Sequence, residues 1–127
     1  MKRKILNVLS VIFGLLLING GLNKFLNYMP VPDDLPEVLV KDTMALNEIA
    51  WLIPLIGFAE ILGGLLILLP RTRALGALVI FPVMVGVLLT HAFVAPDGLP
   101  VALVIWAILL WIILDNKQKY LTLLQNG

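Results

Sequence analysis

Apolar positions along the chain gather into four long runs separated by short polar breaks. The first, residues 5–26, follows a basic cap of Lys2, Arg3 and Lys4. At about 1.5 Å rise per residue it is long enough to cross a hydrocarbon core of about 30 Å. No small-x-small cleavage site follows it, so the pattern predicts a retained span rather than a removed leader. The second run is continuous over residues 49–69, with one charge, Glu60. Its helix is expected to begin near Asp42 or Thr43, to continue to Leu69 and to bend at Pro54. The third covers residues 74–94, with Pro82 as a second kink. The fourth covers residues 99–114, with Pro100 suited to a first helical position.

The breaks are polar in distinct ways. Residues 27–48 hold Pro30, Pro32 and Pro36 together with Asp33, Asp34, Glu37, Asp42 and Glu48. Prolines stop the first helix, and Asp34, Pro36 and Glu37 resemble a helix start ahead of Val38-Leu39-Val40. A short amphipathic helix lying over the outer mouth of the bundle is predicted there. Residues 70–73 form a basic turn, and Pro96-Asp97-Gly98 forms another turn. The tail, residues 115–127, either extends the fourth helix or lies along the headgroups.

Charge supplies the orientation. With both termini inside, Lys2, Arg3, Lys4, Arg71, Arg73, Lys117 and Lys119 face the cytoplasm, and only Lys24 and Lys41 lie outside. That asymmetry follows the positive-inside rule. The expected fold is all-α: a single-domain integral membrane four-helix bundle with cytoplasmic termini and an extracytoplasmic helix as a lid. A multi-pass protein of a bacterial inner membrane is the expected setting.

Composition removes several alternatives. Of 127 residues, 61% are hydrophobic and 13% charged, more apolar surface than a soluble domain of this length buries. A net charge of +1 without a basic face argues against a nucleic-acid partner. The chain has no cysteine, which excludes disulfides and thiol chemistry, and its one histidine argues against a protein metal site or bis-histidine haem.

The polar residues at membrane depth are the candidates for chemistry. Glu60 shares a helical face with Gly57 and Gly64, small residues that admit a neighbouring backbone, so it is expected to face the bundle. Asn19, Asn23 and Asn27 repeat every four residues as one stripe on the first span, with Lys24 beside it in register with Gly20. His91 lies near the outer end of the third span, on the same face as Met84 and Val87. Helical rise separates Glu60 and His91 by about 10 Å in depth, so a wet or ligand-filled cavity would have to connect them. Asn19, Asn23, Lys24, Glu60, Met84 and His91 are the candidate ligand residues, with Glu60 as the proton-exchanging group. Each has a structural alternative: Glu60 as a protonated packing group, the asparagines as interhelical hydrogen bonds, His91 as a satisfied structural histidine, Lys24 snorkelling to the headgroups. Trp51, Trp106 and Trp111 need no role beyond packing and interface anchoring.

Three short motifs in order carry a family likeness. Gly20-Gly21-Leu22-Asn23-Lys24-Phe25, then Glu60-Ile61-Leu62-Gly63-Gly64, then Arg71-Thr72-Arg73-Ala74, with His91 further on, resemble the DoxX-like membrane family over nearly the whole chain. The resemblance implies a four-helix membrane fold and a place beside membrane redox complexes, since family members include a subunit of a thiosulfate:quinone oxidoreductase. It makes a lipophilic quinone the candidate cofactor and Asn23, Lys24, Glu60 and His91 the site residues. The function expected is therefore quinone-like ligand binding as an accessory oxidoreductase subunit, with a membrane or periplasmic redox protein or a second copy of the chain as partner. A proton-coupled small transporter and a non-catalytic assembly scaffold are the other readings.

Overall fold

A computed structural model describes residues 2–30 and 34–126, with the backbone alone of Asn126. Pro32 and Asp33, counted above among the helix-breaking residues, lie outside the described residues, as does Gly127. The regular elements described are helices: α1 (Lys2–Leu26), α2 (Glu37–Glu48), α3 (Leu52–Leu68), α4 (Arg73–Phe93), a 3-10 turn (Pro96–Gly98) running into α5 (Leu99–Asp115), and α6 (Lys117–Asn126). Three stretches are long and apolar enough to cross a membrane: α1, α4, and the turn with α5. The seventeen residues of α3, with Glu60 as their one charge, span about 25 Å, the lower limit for a crossing.

The region before α3 departs from the expected continuous helix. α2 ends at Glu48, the chain turns over residues 49–51, and α3 leaves at 96° to α2. Pro54 is the cause, though not as a kink. It occupies the third position of α3, where its missing N–H costs nothing, and its ring forbids a helical carbonyl four residues earlier at Ala50. The break falls there. The helix predicted near Pro36–Glu37 is therefore twelve residues long, and none of its side chains is buried. Pro82, in contrast, lies inside an unbroken α4. The tail is a separate helix, set off where Asn116 turns its amide onto the Ile112 carbonyl, 2.7 Å away.

α1 packs on α3, α3 on α4, α4 on α5, and α5 returns to α1. Phe13, Ile67, Ile80, Leu109 and Ile112 are fully buried at the centre. Phe58, Leu78, Leu103 and Leu110 point outward, a surface that water would not tolerate and acyl chains would.

The α1–α3 contact is set by glycine. Gly14 faces Gly64, and Gly21 faces Gly57, so the helices run antiparallel with two matched pairs one heptad apart. A Cβ on Gly21 would lie 2.5 Å from the Gly57 carbonyl oxygen, and one on Gly64 would lie 2.6 Å from that of Gly14. Backbone thus meets backbone, the close approach that small residues allow between membrane helices.

Candidate functional site

The seam fixes the register of everything polar beside it. Glu60 is the middle residue of α3, 8% exposed, and its side chain reaches α1. There its Oε1 meets Nζ of Lys24 in an ion pair. The two side chains cross over glycines reciprocally. Glu60 Oε2 rests over Gly20, where a Cβ would lie 2.9 Å from it, and the Lys24 stem passes over Gly57, where a Cβ would lie 3.2 Å from Lys24 Cβ. This explains why Gly20 and Lys24 occur four apart on α1 while Gly57 and Glu60 occur three apart on α3.

The inward direction expected of Glu60 is what the structure shows, and Lys24 turns to the carboxylate instead of to the headgroups. An ionised carboxylate removed from water is expensive unless a cation compensates it, and an ammonium in direct contact does so. The lysine side chain keeps 30% of its surface exposed against 11% for the glutamate. The space in front of Oε1, expected to be a polar hollow, holds the lysine head. The two clefts described lie elsewhere, near Arg3 and Arg71 and on the outer side of α1 near Lys4 and Val8.

The asparagine stripe serves the chain reversal after α1. Asn27 adopts φ 53°, the left-handed conformation asparagine tolerates, and its N–H donates to the Asn23 carbonyl at 2.7 Å, closing the helix. The next two residues fold back along the stripe. The Tyr28 hydroxyl donates to the Asn19 backbone carbonyl at 2.9 Å and also contacts its side-chain oxygen, and the Met29 N–H donates to Asn23 Oδ1 at 2.8 Å. These asparagines bond within their own segment rather than between helices.

Met84 and His91 sit apart from this pair. Met84 is 3% exposed in the apolar core, and its carbonyl accepts the Trp106 indole N–H at 2.9 Å. Trp106 also stands edge-on to Phe81, with ring centroids 5.4 Å apart. His91 Nδ1 lies 3.2 Å from the Ala95 carbonyl oxygen, and the ring packs against Gly98 in the α4–α5 turn.

A second polar centre, at the opposite end of the bundle, was not singled out by sequence reasoning. The last carbonyls of α3 have no partner within the helix. Thr72 Oγ1 donates to Leu66 O at 2.6 Å, and Arg73 donates through Nε to Ile67 O at 2.8 Å and through Nη2 to Leu68 O at 3.2 Å. Arg73 Nη1 also donates to Asn7 Oδ1 on α1 at 2.8 Å. Arg73 is 4% exposed, its charge spread over fixed dipoles. The Tyr120 hydroxyl donates to Ala74 O at 2.9 Å and ties α6 to α4. The basic turn carries this signal in the sequence, where it bears on topology and on the family likeness but not on a buried clamp. Among the described residues no group of acidic, histidine or cysteine side chains could hold a metal ion.

Apolar helices with an outward apolar surface and a carboxylate–ammonium pair inside define a multi-pass α-helical membrane protein. The DoxX family model matches residues 5–93, well over half of the chain, and the chain belongs to that family. It is 39% identical over 69 residues to an uncharacterised protein of Bacillus subtilis (strain 168), YwoB, a match covering 52% of this chain and 43% of the relative. The chain thus spans less than half the length of that curated relative. No solved structure matches.

Proposed function

We propose that this chain is a single-domain, four-span protein of a bacterial inner membrane, with both termini in the cytoplasm and α2 lying across the outer end as a lid. In this reading α3 is the fourth span, and the lysines and arginines of the loops gather on the inside. It binds a quinone-like lipophilic molecule at Lys24 and Glu60, beside Asn23, as an accessory subunit of a membrane oxidoreductase. The observation that carries this is the asymmetry of the ion pair: a buried carboxylate whose one charged partner is a flexible, partly exposed lysine. A point charge on a four-carbon stem can exchange one acceptor for another. Lys24 would then donate to a ligand carbonyl oxygen, and Glu60, released, would take up or give a proton. Electrons would come from the partner subunit.

The test is quinone content. Protein purified from membranes is extracted and the lipophilic fraction identified by mass spectrometry, for the natural chain, Glu60→Gln and Lys24→Met. Quinone is expected with the natural chain and should fall to background in both variants while folded yield is kept. Unchanged content in Glu60→Gln, or none in the natural chain, discards the reading.

A scaffold role is the second reading, favoured by the way Asn19 and Asn23 are engaged with their own segment. The exchanged pair, Lys24→Glu with Glu60→Lys, separates the two. A scaffold regains partner pull-down when the pair is restored in reverse, whereas a ligand site does not regain quinone.

A further inference from the structure

The end of the bundle away from Glu60 carries a cleft of about 330 Å³ lined by Arg3, Arg71, Arg73 and Lys119, with Asp115, Asn116 and Pro70. Its size lies at the lower end for small-ligand sites. Four cations face one carboxylate, a surplus of three positive charges. Asp115 is engaged loosely, 3.5 Å from Arg3, whose side chain is 74% exposed. Arg73 is committed to the end of α3 and to Asn7, so it forms a rigid charged floor. Arg71 and Lys119 are exposed, and among the described residues neither side chain makes a hydrogen bond or ion pair. The lining comes from three places in the chain: the start of α1, the α3–α4 turn and the α5–α6 junction. Leu69 and Leu114, next in sequence to lining residues, are 60% and 66% exposed.

We infer that this cleft binds a phosphate-bearing anion, which in the bilayer is the headgroup of an anionic phospholipid. Guanidinium and ammonium groups converging on one opening match phosphate oxygens, and basic pockets between membrane helices take anionic headgroups. The outward leucines, Leu69 at the end of α3 and Leu114 in α5, give the acyl chains an apolar surface beside the cleft. The site is independent of the Lys24–Glu60 pair and of any quinone.

The experiment is thermal unfolding of the full chain in delipidated detergent micelles, titrated separately with phosphatidylglycerol, phosphatidylcholine and inorganic phosphate. Phosphatidylglycerol is expected to raise Tm where phosphatidylcholine does not. A response to inorganic phosphate as well assigns the source to free phosphate and supports the same site. In Arg71→Gln/Lys119→Gln, two exposed positions without structural bonds, the apparent affinity should fall roughly thirtyfold. Lys2→Gln/Lys4→Gln removes the same charge outside the cleft and should change it little. Equal responses to the two lipids with none to phosphate, an undiminished response in the first variant, or an equal loss in the second would overturn the assignment.

Discussion

Two cations are drawn into this bundle, Lys24 near one end and Arg73 near the other, and they are held differently. Arg73 gives N–H donors to two α3 carbonyls and to Asn7, in a geometry the guanidinium plane fixes. Among the described residues no carboxylate forms an ion pair with it, yet it is almost wholly buried. Among the described residues Lys24 has a single charged partner, Glu60, and stays partly open. Several fixed, neutral acceptors make a structural clamp; one charged acceptor, met by a partly exposed lysine, is the contact on which the proposed ligand exchange rests. Burial alone would have ranked the two in the opposite order of functional interest.

Removing the clamp should have the largest effect. Arg73→Leu leaves the Ile67 and Leu68 carbonyls and the Asn7 amide without partners, at about 1–3 kcal/mol for each buried group. Folded yield and Tm in detergent should fall steeply, and Arg73→Lys should recover only part because a lysine cannot reach three acceptors in one plane. A natural Tm for Arg73→Leu would remove the distinction. Next comes the seam that positions the Lys24–Glu60 pair. Gly21→Ala puts a methyl against the Gly57 carbonyl and should cost about 1–3 kcal/mol as α1 is pushed off α3. It should separate Lys24 from Glu60 while Arg73 keeps its bonds, so disulfide trapping between cysteines introduced across each end should weaken at the Lys24 end alone. The smallest effect is expected at Tyr120. Tyr120→Phe loses the bond to Ala74 O, about 1 kcal/mol. Burial raises the Tyr120 phenol above its usual value near 10, so the fold favours the neutral form. That contribution is complete below about pH 10 and is lost as pH rises through the raised value. The natural chain should therefore lose stability at alkaline pH faster than Tyr120→Phe does.

The helical class and the apolar spans were legible because run length and hydropathy are local properties. So was the inward side of Glu60, since Gly57 and Gly64 mark the face. The partner of Glu60 was not, because pairing Lys24 with it requires the register of α1 against α3, which no single helix states. Gly14, Gly21, Gly57 and Gly64 contain that register only when read as two pairs summing to the same number. Pro54 misled for a related reason: its position relative to the helix start decides whether it kinks or begins the helix. The asparagine stripe was visible as a pattern, but its use by Tyr28 and Met29 depends on the reversal at Asn27. Asn7, Thr72 and Tyr120 left no periodic trace at all; each matters through one hydrogen bond, Asn7 accepting from the Arg73 guanidinium and the Thr72 and Tyr120 hydroxyls donating to the Leu66 and Ala74 carbonyls.

Matched glycines one heptad apart also limit how this molecule can move. A slide of α1 along α3 by less than about 10 Å would drive side chains such as Ile18 and Ile61 into the opposing backbone, so piston-like travel is blocked. With α1 and α3 locked in this register, the long aliphatic tether of Lys24 is the part of the seam left free to swing.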